Sequence, residues 1–134
     1  MASMVRQSPG AFGYVELVYA SQNNIQYGDV KNAAGKFLKA TTAGVTAAAA
    51  NVPQMPADYR VSIVNAPGDD SYPISSFTWL LIPTHFADPA KGKTMHDFLV
   101  WMLATGEAEA PASGYASLPA SVAESVGKTI AQVQ

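Results

Sequence analysis

The chain contains no cysteine. That excludes a disulfide framework, a thiolate nucleophile and a zinc–thiolate site, and it suits an oxidising or a reducing compartment equally. Charge is scarce too: 13% of residues are charged against 49% hydrophobic, with a formal net charge of -2. The 8 basic residues are dispersed as Arg6, Lys31, Lys36, Lys39, Arg60, Lys91, Lys93 and Lys128. Nucleic-acid binding needs a clustered basic face, so no nucleic-acid partner is expected. Lys31, Lys36 and Lys39 come nearest to a cluster, and their spacing reads as the solvated edge of a loop. No run approaches the ~20 apolar residues of a membrane span. The N-terminal MASMVRQSPG has one Arg but neither an apolar core nor a small-residue cleavage site, so no signal peptide is read there. MASM resembles a vector remnant, and residues 1–7 are expected to be a tag-like or disordered N-terminus.

Catalytic groups are few. His85 and His96 are the only histidines. A metal site needs three or four converging ligands, so Asp88 or Asp97 would have to join them, and none is expected. No cofactor is expected either. Ser, His and Asp are all present, but no G-x-S-x-G elbow sets up a hydrolytic triad, and SGYAS is not one. The carboxylate pairs Asp69–Asp70 and Glu107/Glu109 are sequence neighbours in polar stretches and read as solvated turn charges. No catalytic residue is assigned, and the chain is expected not to be an enzyme.

What remains is the material of one folded domain, residues 8–134. FGYVELVY has the aromatic and β-branched character of a strand, with Leu17, Val18 and Ala20 able to form a short helical turn before Asn23 and Asn24. IQYGDVKNAAGKFL reads as a short strand and a hairpin-like turn around Asn32 to Gly35. TTAGVTAAAAN, residues 41–51, is a helix capped by Thr41 or Thr42 and stopped by Pro53 and Pro56. Val61 to Val64 reads as a strand, followed by a polar turn at Gly68, Asp69 and Asp70. FTWLLIP, residues 77–83, is an unbroken apolar run of strand length, which implies a central strand buried on both faces.

Asp88 followed by Pro89 starts a helix. Met95, Phe98, Leu99, Met102 and Leu103 line one face, with His96 off that face and Gly106 at the end. EAEAPASG reads as a linker. A last helix opens at Pro119 and carries Val122, Val126, Ile130 and Val133 on one side. Tyr14, Tyr19, Phe77, Trp79, Phe98 and Trp101 are expected to pack in the core. The class is α/β, a mixed sheet flanked by helices.

PGAFG is neither a Walker loop, since no Gly-Lys-Ser/Thr follows, nor a G-x-G-x-x-G fingerprint. Its glycines read as backbone devices: Gly10 for a turn, Gly13 for close approach.

Three ordered stretches carry a resemblance. PGAFGYVELVYASQNN, DDSYPISSFTWLLIP and GYASLPASVAESV are similar to successive segments of the phosphate ABC transporter substrate-binding protein family, from about Ser8 to the end. The resemblance covers the carboxyl-terminal part of that family's longer chain. It implies a partial lobe of a type II periplasmic-binding-protein-like fold, a non-enzymatic role in phosphate transport and docking of the parent on a membrane permease. It also implies a periplasmic or extracellular location. The family's phosphate ligands lie upstream of this stretch, so no phosphate-binding residue is carried onto this sequence. Weak or absent binding of phosphate or a similar oxyanion is the expectation. An uncovered lobe is also expected to self-associate, as a homodimer or swapped oligomer. The alternative is a truncated or engineered self-associating structural α/β domain with no ligand.

Overall fold

The structure, a computed structural model, describes every residue from Met1 to Gln134. Its elements in chain order are α1 (Ala2–Gln7), α2 (Leu17–Gln22), β1 (Val30–Lys31), β2 (Phe37–Leu38), α3 (Thr42–Ala50), α4 (Pro89–Leu103) and α5 (Ala120–Ile130). A 3₁₀ turn at Gly106–Glu109 separates the last two helices.

Local chemistry explains the starts and stops. At α3, extended Thr41 accepts the Gly44 N–H on its Oγ1 at 3.0 Å, and the alanines propagate the helix at little side-chain entropy cost. Asn51 ends it, donating its side-chain amide to the Ala47 carbonyl at 3.0 Å. At α4, Asp88 Oδ1 accepts the Ala90 N–H at 2.9 Å, with Pro89 in the first turn where its missing N–H costs nothing. The hairpin is antiparallel, with Val30 opposite Leu38 and Lys31 opposite Phe37. Gly35, at φ +80°, supplies the left-handed residue that the turn between them needs.

The core is small: 16 of 134 residues are buried, among them Ala48 and Ala49 of α3, Ile63, Leu99 of α4, and Val122 and Ile130 of α5. The long helices α4 and α5 pack on each other, and α3 meets α5. Thr46 Oγ1 of α3 donates to the Ser117 carbonyl at 2.8 Å ahead of α5, tying those helices further. Gln134 bridges to the approach to α4, its N–H donating to the Thr84 carbonyl and its carbonyl accepting the Phe86 N–H, both at 2.8 Å. Gly92 makes room for this, since a Cβ there would lie 2.4 Å from the Gln134 carbonyl carbon.

A polar hub replaces the missing apolar contacts around residues 65–75. Buried Asn32 donates its side-chain amide to the carbonyls of Gly68, Asp69 and Ser71 at 3.1, 2.8 and 3.2 Å. Its Oδ1 accepts the Lys36 N–H at 2.9 Å. Ser71 Oγ donates to the Pro67 carbonyl at 2.7 Å and accepts from Asn51 at 3.1 Å. The Tyr72 N–H then reaches the Gly44 carbonyl at 3.0 Å, fastening the loop to α3. This loop is ordered by side chains satisfying main chain, where a sheet would use main chain alone.

Several expectations hold. The turn at Leu17, the hairpin around Asn32–Gly35, and helices close to 42–50, 89–103 and 120–130 are all present. Val122, Val126, Ile130 and Val133 face inward, buried or half-buried. Gly10 has φ +81°, and a Cβ on Gly13 would come within 3.1 Å of the Val5 side chain, so both glycines act as backbone devices.

The sheet differs from expectation. It is not mixed; β1 and β2, two residues each, are the whole of it. Phe12–Glu16, Val61–Val64 and Phe77–Pro83 form no ladder. From Phe77 to Pro83 no backbone group bonds another backbone group, and Leu80 and Leu81 are exposed. The physical reason is pairing. Strand propensity is local, but a strand persists only when a partner backbone pairs with it, and none pairs with these segments. Tyr14 and Trp79, in two of these unpaired segments, are exposed, and so are Tyr19 of α2 and Phe98 and Trp101 of α4, whose helix faces no other element covers; the expectation is core packing for all five. EAEAPASG is not a bare linker: its first half is the 3₁₀ turn. Residues 1–7 are helical from Ala2 to Gln7, and none of the helix is buried.

Candidate functional site

Two adjoining hollows form the best candidate site, both open to solvent. The larger, about 470 Å³, lies where α2, the exit from the hairpin and the 111–114 turn converge. Leu17 and Val18 give it an apolar wall; Ser21, Thr41, Thr42 and Ser113 face it with hydroxyls. The smaller, about 360 Å³, shares Ser21 and Tyr27 with it and adds Asn24, Gln26 and Lys39. Gly114, at φ +82°, allows the close approach that shapes the wall: a Cβ there would lie 2.8 Å from Val18 Cγ2.

The chemistry of this lining is that of weak polar binding. Lys39 is the one cation in it, and its ammonium sits 5.0 Å from the centroid of the Tyr27 ring. Thr41 already spends an acceptor lone pair on the Gly44 N–H. No carboxylate or imidazole lines either hollow, so the pair of titratable groups that acid–base catalysis uses is not assembled there.

The residues singled out from the sequence lie elsewhere. His85 is exposed on the way into α4, and His96 is part-exposed on α4 with Nδ1 3.4 Å from Asp97 Oδ1. Asp88 caps α4. No group of three or more His, Asp or Glu side chains is placed to hold a metal ion. Asp69 and Asp70 are exposed in the loop fastened by Asn32, and the Asp69 backbone carbonyl contributes to it. Glu107 departs from the expected solvated charge. Its carboxylate accepts the Leu118 N–H, so it braces the segment leading into α5. Sequence reading had no signal for this, because the two are brought together only by the intervening 110–115 turns.

Electrostatics on the surface are local. Arg60 holds the Asp58 carboxyl below its usual range through their hydrogen bonds. Lys93, then His96, lowers Asp97, and Lys128 lowers Glu124 while its own ammonium is raised in return. Such carboxylates favour the fold above their unfolded pKa and lose that contribution as pH falls through their folded pKa. All are solvent-exposed, and pairs of this kind contribute little. Of the two arginines, Arg60 is thus already paired, and Arg6 lies in the last turn of α1.

No family model matches the chain. Comparison with curated proteins finds phosphate-binding proteins. Over 127 residues, 94% of this chain, it is 35% identical to the phosphate-binding protein PstS of Xylella fastidiosa strain Temecula1. It is 35% identical over 92% of its length to PstS of Methanocaldococcus jannaschii, and 30% identical over 94% to PstS of Pasteurella multocida. The chain spans about a third of the length of these relatives: 35%, 35% and 37%. The resemblance read from PGAFGYVE, DDSYPISS and GYASLPASV therefore extends along nearly the whole chain. These relatives are binding proteins by name, not enzymes.

Proposed function

We propose that this chain is a segment of a solute-binding protein of the phosphate transporter type, corresponding to the carboxyl-terminal part. Its role belongs to the capture of phosphate, or a similar oxyanion, and delivery to a membrane permease from the periplasm or the cell exterior. The observation that carries this reading is identity of 35% sustained over 94% of the chain to a phosphate-binding protein. The ordered run of three motifs supports the same reading from the residues themselves.

In this reading the chain alone binds phosphate weakly or not at all. Tight binding of a dehydrated oxyanion needs several converging donors, best an arginine fork and a helix N-terminus. The hollows here offer hydroxyls and one lysine, with no arginine among their residues. Residues 8–134 act as one folding unit within the parent, with 1–7 an appendage.

A chimera tests the assignment. The matched third of Xylella fastidiosa PstS is replaced by residues 8–134 of this chain, and phosphate affinity is measured by calorimetry. The expected result is a folded chimera with affinity within about tenfold of the parent, a difference of about 1.4 kcal/mol. A folded chimera blind to phosphate contradicts the assignment.

One further reading has its own observation. A core of 16 buried residues beside exposed Trp79, Leu80 and Leu81 favours a self-associating structural α/β domain with no ligand.

A further inference from the structure

Tyr59 is the residue that neither the hollows nor the hub explains. Its backbone lies in the left-handed region, at φ +57°. The other non-glycine residues there are Asn24 and Asn65, of a type that tolerates that region. A bulky aromatic does not, and a strained backbone persists only where its surroundings over-determine it. Those surroundings are present. The Tyr59 N–H donates to the Pro56 carbonyl at 3.0 Å, and its carbonyl accepts the Val61 N–H at 2.9 Å. Asp58 clasps Arg60 across it, Oδ1 accepting the Arg60 backbone N–H at 3.2 Å and Oδ2 accepting from Nε at 2.7 Å.

Two further bonds leave this turn for distant elements. The Tyr59 carbonyl also accepts the Trp79 indole N–H at 2.8 Å, and its hydroxyl meets Thr129 Oγ1 of α5 at 2.7 Å. Beyond a contact from its neighbour Ser76 to the Phe77 carbonyl, the Trp79 bond is the one hydrogen bond that the Phe77–Pro83 segment makes. We propose that Tyr59 is a strained latch. It seats the Phe77–Pro83 segment against α5, and its release lets Tyr59 relax to an ordinary backbone conformation while the segment parts from the helix. These contacts are internal to the chain, so the latch does not depend on what a longer protein lays beside the segment. Strain makes it cooperative. With the Thr129 bond made, the left-handed turn keeps the carbonyl aimed at Trp79. With that bond cut, relief of strain turns the carbonyl away, and the Trp79 bond is lost as well. No hydrogen bond joins Trp79 to Thr129, so their coupling runs through Tyr59.

Nuclear magnetic resonance of the chain in solution tests this. Trp79 and Trp101 give its two indole N–H signals. Tyr59→Phe and Thr129→Val each remove one hydroxyl from an exposed contact and are expected to leave the circular dichroism of the fold intact. Either is expected to speed solvent exchange of the Trp79 indole proton about 2- to 10-fold, the factor that one net hydrogen bond represents. Trp101 is expected to stay unchanged, and the Tyr59 Cα and Cβ shifts to leave left-handed values. Because both substitutions cut the same bond, the double variant is expected to match either single one. A Trp79 proton indifferent to both substitutions overturns the latch. So does a Tyr59 that keeps its left-handed shifts in both variants, since its conformation then owes nothing to the bond. Effects that add in the double variant overturn the shared contact on which the latch rests.

Discussion

Asn32→Ala is expected to cost about 3 kcal/mol of folding stability, one of the largest effects of any single truncation in this chain. The side chain is 5% exposed and joins the hairpin turn to the loop around Ser71. Removing it strands the carbonyls of Asp69 and Ser71 and the Lys36 N–H, which lose their partner together, and leaves the Gly68 carbonyl only the Ser71 N–H at 3.4 Å. Each buried group left without a partner costs ~1–3 kcal/mol, reduced where water reaches it, as it does at the loop's outer side. Chemical denaturation read by circular dichroism checks the loss. Asn32→Asp gives a sharper signature. The carboxylate still accepts from Lys36, but its second oxygen faces three carbonyls in place of an amide donor. Its folded-state pKa must therefore rise above the unfolded value, so this variant gains stability as pH falls from 7 toward 4. A variant as stable at pH 7 as at pH 4 contradicts the hub.

Ile63→Ala is the second large effect, expected to destabilise by ~2–5 kcal/mol. Ile63 is 1% exposed, the largest hydrophobic side chain so fully buried, and it sits in a stretch with no sheet to hold it. With so few buried residues, its loss cannot be spread over a deep core, and the cavity term adds to the transfer term. Ile63→Val, which removes one methylene, is expected to cost ~0.5–1.5 kcal/mol. Denaturation midpoints of the two variants check the order. An alanine variant no worse than the valine variant contradicts the placement of Ile63.

The legible part of the fold was the part governed by neighbours along the chain. Asp88–Pro89 and the Met95–Leu103 stripe define α4 within its own residues, and Thr41 with four alanines defines α3. The hairpin was readable because Asn32–Gly35 closes it locally. FTWLLIP reads as a central strand but forms no ladder, because its strand character is local while its pairing is not. The same seven residues suit a central strand only if other backbones lie alongside. Asn32 itself reads as a turn residue, and its anchoring of the loop at residues 68–71 is not legible, since no pattern in a single sequence reports such a contact. For the site, the motifs identified a kind of protein and assigned no ligand residue. The hollows beside α2 draw on residues from four separate stretches, and nothing in their spacing marks them as neighbours.

Titrating phosphate into the isolated chain, with sulfate and arsenate alongside, tests the proposal that this chain is a segment of a phosphate-capturing protein without itself carrying the anion's ligands. The predicted result is no saturable heat with a Kd below about 1 mM, an affinity of about 4 kcal/mol or less. Saturable micromolar binding of phosphate by the chain alone would contradict it.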